Sequence, residues 1–258
     1  MPLFLSYLNR WIMDTFITYF FYFIIYSFLG YICEVVYVAI ITKHIGDRGY
    51  LFGPLVPIYG FGALLILVSL NWAYNYWYLV LPLGFLITTA LEYVVSFVME
   101  LLFKKRWWDY SDKFLNINGR VCLRNSLMFT ALVALVIYVL QPYVVNNLVN
   151  SIIEKKPLKW SLFTTIFILL MVDFIISTTK HVKLATIITK LSEFKDFTLD
   201  ELDKAKEYIK NTKAYDKLAK LSARYPSFKI RLNGARVSIG DLVSKVKEKV
   251  GFKKWERL

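Results

Sequence analysis

The chain of 258 residues is too apolar for a soluble domain. Hydrophobic residues make up 57% and the mean hydropathy is +0.47, whereas soluble domains hold about 45–50% apolar residues. The net charge of +13 suggests nucleic-acid binding until it is divided along the chain. Residues 1–179 hold 12 Lys and Arg against 9 Asp and Glu, and residues 180–258 hold 20 against 10. The basic charge therefore belongs to the tail, where interleaved Lys and Glu indicate a solvated face rather than a DNA-binding surface.

Five apolar runs are long enough to cross a hydrocarbon core of about 30 Å, which takes about 20 helical residues. They cover residues 15–42, 54–73, 77–102, 122–140 and 160–178. The sequence therefore predicts an all-α, polytopic integral membrane protein with about five transmembrane helices. Three regions follow: an interfacial N-terminal segment (1–14), a transmembrane domain (15–179) and a small, basic, helical cytoplasmic tail (180–258).

The distribution of basic residues predicts the orientation, because cytoplasmic segments carry an excess of Lys and Arg. A cytoplasmic tail and five spans put the N-terminus outside. The inner loops, 43–53 and 103–121, then hold seven Lys and Arg, and the outer loop 141–159 holds three. We expect a bacterial cytoplasmic membrane, with the tail attracted to anionic lipid headgroups. Within the tail, a capping box at Thr198 and Glu201 predicts a helix to about residue 223, and a second helix is expected at 238–250.

Ionisable residues inside the predicted spans all fall in their cytoplasmic halves. A charge at the centre of a membrane helix costs about 2.5–3.5 kcal/mol on translocon-insertion scales, so such residues face a bundle interior or a wet cavity. Glu92 and Glu100 share one helix face with Ser96. We therefore predict a polar chamber open to the cytoplasm, in which acids face arginines; the alternative is a set of buried ion pairs that brace the bundle. Its charged members are Glu34, Glu92, Glu100, Arg120, Arg124 and Asp173.

The loop KKRWWDYSDKFLNINGRVCLRNS, residues 104–126, combines interfacial aromatics with polar side chains. Trp108 suits the headgroup level. Asp109, Asn116 and Arg120 are candidate ligands for a headgroup or a cation, and the Asn-Gly pair at 118–119 predicts a turn.

The stretch RGYLFGPLVPIYGFG, residues 48–62, places helix breakers at the mouth of the second span. Pro54 is predicted to start this helix just after Gly53. A helix N-terminus beside Arg48 suits an anion, and Gly60 allows a neighbouring helix to approach. The alternative is a proline-started helix that packs through its glycines and holds no ligand.

Four stretches in order, SFLGYICEVVY, DRGYLFGPLVPIYGFG, LEYVVSFVMELLF and RWWDYSDKFLNINGRVCL, resemble the bacterial family of ABC-transporter type IV permeases. The resemblance covers about residues 20–130. It implies a permease whose motif positions here are Glu34, Arg48, Gly49, Gly53, Pro54, Pro57, Tyr59, Gly60, Glu92, Tyr93, Glu100, Trp108, Asp109, Asn116, Gly119 and Arg120.

Three functions fit these observations. The first is a permease, the transmembrane subunit of an ABC-type transporter; because the chain has no GxxxxGK[ST] motif, ATP would be bound only by a partner ATPase subunit. The second is a membrane-embedded enzyme that acts on a lipid headgroup or lipid-linked precursor, with a divalent cation held by Glu34 and Glu92 as one option. The third is a non-catalytic scaffold. We expect no cofactor within this chain, contacts with membrane lipids, and a homo-oligomer as one further option.

Overall fold

The computed structural model describes residues 2–42, 49–103, 105–193, 229–232 and 235–238. Most of this part of the chain is helical, which confirms the all-α membrane class. Within it, four helices are long and apolar enough to cross a membrane, namely Arg10–Ile40, Trp77–Phe103, Leu123–Ile153 and Lys156–Lys183. A shorter apolar helix covers Pro57–Ala73.

Six α-helices follow one another in the described part of the chain. Their bounds are α1 (Pro2–Thr42), α2 (Pro57–Leu70, followed by a 3₁₀ turn at Asn71–Ala73), α3 (Trp77–Phe103), α4 (Leu123–Leu135), α5 (Asn146–Ile153) and α6 (Lys156–Glu193). A π-helical segment, Val136–Val145, joins α4 to α5. Pro142 lies inside this segment, and because proline lacks an N–H it removes one α-helical hydrogen bond.

The structure differs from the predicted spans at three boundaries. The helix that starts at Leu123 continues to Ile153, although the polar residues after 140 suggested a loop. α2 begins at Pro57 rather than Pro54, because residues 51–56 form an irregular segment whose Val56 N–H donates to the Ser27 carbonyl at 3.0 Å. α1 includes the segment 2–14 without a break; its location at the membrane surface stays a prediction.

Small strands lie outside the membrane helices. β2 (Asn116–Ile117) pairs with β3 (Val121–Cys122) in an antiparallel hairpin. In the tail, β4 (Lys229–Leu232) pairs with β5 (Ala235–Ser238), and β1 (Lys105–Arg106) adds to β4. The predicted tail helix at 198–223 lies outside the described residues, as does the one at 238–250 beyond Ser238, the last residue of β5.

The chain divides into two compact units. The first comprises residues 1–92 and 123–177, and the second comprises residues 93–122 and 178–258.

Polar contacts align the helices of the first unit. Near the start of α6, the Lys159 ammonium pairs with the Asp14 carboxylate of α1, and Lys159 is buried. Farther along α1, the Tyr26 hydroxyl donates to Gln141 Oε1 at 2.7 Å, and Gln141 in turn donates to Asn146. Unpaired polar groups are costly in lipid, so these contacts explain how the polar residues after 140 continue a membrane helix.

Two glycines allow α1 and α2 to pack closely. A Cβ at Gly30 would lie 2.2 Å from Tyr59 Cγ, and one at Gly60 would lie 2.3 Å from Ser27 Oγ and 2.7 Å from the Phe23 carbonyl oxygen. All three distances are far shorter than ordinary van der Waals contacts. Small residues at such contacts let membrane helices approach each other, so these positions set the spacing between α1 and α2.

We predict that Gly60→Ala destabilises the protein by about 1–3 kcal/mol, because the added methyl group overpacks the contact with α1. Gly62→Ala is the matched control: it makes the same change in the same helix, and its Cβ would meet only Leu91 Cδ2 at 3.3 Å. Thermal unfolding in detergent compares them. Equal unfolding temperatures for the two variants would contradict the close packing.

Candidate functional site

A carboxylate holds the irregular segment before α2 in the first unit. Asp173 of α6 accepts hydrogen bonds from the backbone N–H groups of Phe52, at 2.9 Å, and Gly53, at 2.8 Å. The Ser177 hydroxyl, one helical turn later, donates to the same carboxylate at 2.9 Å. A Cβ at Gly53 would lie 3.0 Å from Asp173 Oδ2, so glycine gives the carboxylate room. Asp173 thereby ties α6 to the segment that precedes α2.

A largely apolar cavity of about 110 Å³ lies in the first unit, lined by residues of α1, α2, α3, α4 and the π-helical segment. Its few polar wall residues include Cys33, Tyr59, Thr88 and Glu92. Glu92 is buried, with 4% of its surface exposed. Tyr59, packed over Gly30, forms a side-chain hydrogen bond with Glu34 of α1. The cavity thus joins an apolar interior to a carboxylate and a phenol, a combination typical of sites for small amphiphiles.

The second unit contains a buried cluster of one carboxylate and two guanidinium groups. Glu100 Oε2 contacts Arg106 Nε at 2.7 Å and an Arg120 terminal nitrogen at 2.6 Å. Only 5% of Arg106 and 7% of Arg120 are exposed. The three side chains carry a net charge of +1, which would attract an anion.

Neighbouring groups hold Arg120 against α3. Its guanidinium donates to Ser96 Oγ at 3.3 Å and lies 5.2 Å from the centre of the Phe97 ring and 5.7 Å from that of Tyr93. The backbone carbonyl oxygen of Arg120 accepts a hydrogen bond from Trp108 Nε1 at 2.8 Å. These contacts bring together four predicted site residues: Tyr93, Glu100, Trp108 and Arg120.

Two other predicted ligands bind within the loop itself. Asn116 Nδ2 donates to the carbonyl oxygens of Ser111, at 3.1 Å, and Lys113, at 2.9 Å, and its Oδ1 accepts from Gly119 N–H at 3.0 Å. Asp109 accepts from the backbone and hydroxyl of Ser111. These side chains shape the turn, and their predicted part in ligand binding remains a prediction.

Two further predicted residues are Arg124 and Arg48. Arg124 is exposed in the first turn of α4. Arg48 lies outside the described residues. Glu34, Tyr59 and Glu92 belong to the first unit, and Glu100 and Arg120 belong to the second; that all of them share one chamber stays a prediction. Among the described residues, no group of three or more His, Cys, Asp or Glu side chains is arranged to hold a metal ion.

The sequence analysis did not predict two side chains that bind the carboxylates of Glu100 and Asp173. Arg106 was counted only as a loop charge, yet it binds Glu100 and also donates to the Asn118 carbonyl at 2.9 Å. Ser177 was overlooked, although it follows Asp173 by four residues and so shares its helix face. The spacing signal was available for Ser177, whereas no spacing rule connects Arg106 to Glu100 across the end of α3.

We predict that Glu100→Gln lowers the free energy of unfolding by about 3–5 kcal/mol, because it leaves two buried guanidinium groups without their carboxylate. Arg120→Gln is expected to cost less, since the neutral Arg106–Glu100 pair survives. The double variant should cost less than the sum of the single variants. Equilibrium unfolding in mixed micelles measures all three, and strictly additive losses would show that the charges do not interact.

Comparison with known proteins bears on most of the first unit and on residues 93–122 of the second. No curated protein and no solved structure showed significant similarity to the chain. A protein family described as "Putative ABC-transporter type IV" matches residues 21–178. This match includes α2 to α5, most of α1 and the apolar part of α6, and it confirms the resemblance found in the sequence. The chain belongs to this ABC-transporter type IV family of membrane proteins.

Proposed function

We propose that this chain is a permease, the transmembrane subunit of an ABC-type transporter, and that the cavity of the first unit receives its solute. The cavity carries the proposal, because it lies among apolar helices and has a buried carboxylate, Glu92, in its wall. The family to which the chain belongs supports an ATPase partner. That partner supplies ATP binding, since this sequence has no P-loop.

The chemistry of the cavity suggests the kind of solute. An apolar cavity of 150 Å³ in another protein holds benzene, so about 110 Å³ suits an apolar group of about four or five carbon atoms. Glu92 offers an acceptor for an amine or hydroxyl group, and hydrogen bonds to charged groups contribute about 1.5–3 kcal/mol. We therefore infer a small amphiphile with a hydrogen-bond donor, or the end of a larger one.

The contacts of the first unit support the proposed five crossings. The Asp14–Lys159 ion pair joins the first turns of the α1 and α6 spans, and we therefore infer that these two turns lie on the same side of the membrane. Between these points the chain must cross an even number of times. The three long helices α1, α3 and α4–α5 supply three crossings, so α2 supplies the fourth, although Pro57–Ala73 spans only about 25 Å. α6 is then the fifth, and the termini lie on opposite sides.

A second candidate function is chemistry on a lipid headgroup, which the net positive cluster of Glu100, Arg106 and Arg120 favours, since guanidinium groups bind phosphate well. One measurement, the fate of labelled lipids, distinguishes a transporter from a lipid-modifying enzyme. Incubation of the purified protein with labelled lipid extracts leaves the lipids unchanged if the chain is a permease. A new lipid product, lost in Arg120→Gln, would favour the enzyme; a scaffold would give neither product nor transport.

The first test of the permease concerns the partner and the solute pathway. Full-length tagged protein, purified from its own host in mild detergent, should bring with it an ATPase subunit. Membrane vesicles lacking the chain should lose the transport of at least one amphiphilic solute. The proposal fails if no ATPase copurifies and the vesicles transport every tested solute normally.

We predict that Glu92→Gln weakens binding of n-butylamine about tenfold or more, because the variant lacks the charge that strengthens the hydrogen bond. The measurement is the rise in thermal unfolding temperature that the amine produces. Glu154→Gln is the matched control, since Glu154 is an exposed carboxylate at the end of α5. Butyrate, which is similar in size but anionic, should stabilise neither protein; equal stabilisation of both variants by the amine would exclude Glu92 from the site.

The proposed five crossings put the termini on opposite sides, and the basic tail favours a cytoplasmic C-terminus. We therefore predict that the N-terminus lies outside the cytoplasmic membrane and the C-terminus inside. In a bacterial host, alkaline phosphatase fused to the N-terminus should be active, and a fluorescent protein fused to the C-terminus should fluoresce. Both reporters on the same side of the membrane would mean that α2 does not cross.

A further inference from the structure

The turn between α3 and α4 exposes three large apolar side chains. We propose that the apolar side chains of this turn, residues 111–119, insert into the boundary between headgroups and acyl chains, in the leaflet at the carboxyl end of α3, while its polar side chains face water. Its exposed fractions are 78% for Phe114, 62% for Leu115 and 56% for Ile117. A water-exposed loop seldom presents such a cluster, and contiguous apolar patches mark contacts with lipid or protein.

Contacts with α3 set the depth of the turn. Asn118 Nδ2 donates to the Tyr93 hydroxyl at 2.9 Å, and Arg120 donates to Ser96. Tyr93 lies ten residues, or about 15 Å, before the last residue of α3, Phe103. Residues 118–120, the base of the turn, therefore lie beside α3 instead of beyond its end.

The same part of α3 exposes a row of apolar side chains. Five apolar side chains between Val94 and Leu102 are 41–62% exposed, although this segment belongs to a membrane helix: Val94, Phe97, Val98, Leu101 and Leu102. Only lipid, or another protein within the membrane, can cover such a row. Because the base of the turn is bonded to Tyr93 and Ser96, at the start of this row, the turn lies at a depth where lipid is present.

The backbone of the turn is suited to an environment poor in water. Irregular backbone near the hydrocarbon must find hydrogen-bond partners within the protein. Tyr110 N–H donates to the Gly119 carbonyl at 2.8 Å and Lys113 N–H to the Tyr110 carbonyl at 2.9 Å. Asn116 satisfies three further backbone groups, as described above. Left-handed backbone at Leu115 (φ 48°), Asn118 (φ 54°) and Gly119 (φ 66°) closes the turn.

Residues next to the apolar side chains favour lipid over a protein partner. Lys113, adjacent to Phe114, is exposed, and a lysine stem can lie along the acyl chains while its ammonium reaches the phosphates. Beneath the turn, the cluster of Glu100, Arg106 and Arg120 carries a net charge of +1. The Lys113 ammonium and the cluster attract the anionic headgroups of a membrane surface, while the exposed Asp112 beside Lys113 carries the opposite charge and faces water.

Site-directed spin labelling in liposomes tests this proposal without a solute or an ATPase. The background is the full-length chain with Cys33→Ala and Cys122→Ala, which leaves no native thiol. Labels are placed by Phe114→Cys at the turn, by Leu102→Cys on the exposed face of α3, and by Asp112→Cys at an exposed polar position of the same turn. Collisions with oxygen, which concentrates in lipid, and with a water-soluble nickel chelate report the surroundings of each label.

We expect the label at position 114 to behave like the label at 102, with frequent oxygen collisions. Its ratio of nickel to oxygen collisions should be at least about tenfold lower than at position 112, since apolar side chains partition strongly into lipid. Nickel collisions at 114 equal to those at 112 would overturn the proposal, because they would place the turn in water. Protection of 114 from both reagents would also overturn it, because a second copy of the chain would then cover the turn. Native-like elution and circular dichroism of each labelled protein confirm folding.

Discussion

A membrane interior offers no water to polar groups, and this one constraint explains the strongest contacts in the structure. Asp173 accepts two backbone N–H groups and a serine hydroxyl, Glu100 binds two arginines, and Asp14 pairs with a buried lysine. Each charge is met at close range by groups from another part of the chain. Because an unpaired charge that is shielded from water is costly, these contacts help to determine which helices and loops adjoin.

The sequence predicted most of the fold because the apolar runs are long and the membrane admits few structures. It also predicted that Ser96 and Glu100 share a face of α3, and in the structure Arg120 binds both. The end of the fourth span was harder to predict from the sequence. Gln141 and Asn146 read as loop residues, yet Tyr26 and Tyr22 of α1 bind them within the helix bundle. Local composition cannot reveal such a partner, which lies more than 100 residues away.

Candidate ligands were harder to judge than spans, because the same side chains suit a ligand and a tight turn. Asn116 was predicted to bind a headgroup or a cation, and in the structure its amide oxygen and nitrogen both contact the turn's own backbone. Arg106 shows the opposite error, since a residue counted only as a surface charge proves 95% buried. Both cases depend on the path of the loop after α3, which hydrophobic periodicity does not encode.

The two units suggest different roles for the buried acids. Glu92 lies in the wall of an apolar cavity, where a carboxylate can discriminate between solutes by a hydrogen bond. Glu100 is occupied by two arginines, so its exchange for another anion would require those ion pairs to separate. A carboxylate beside open volume is suited to binding, and one enclosed by guanidinium groups is suited to holding a loop at a fixed depth. This contrast is why the proposed solute site lies at Glu92, while Glu100 is treated as an anchor for the turn.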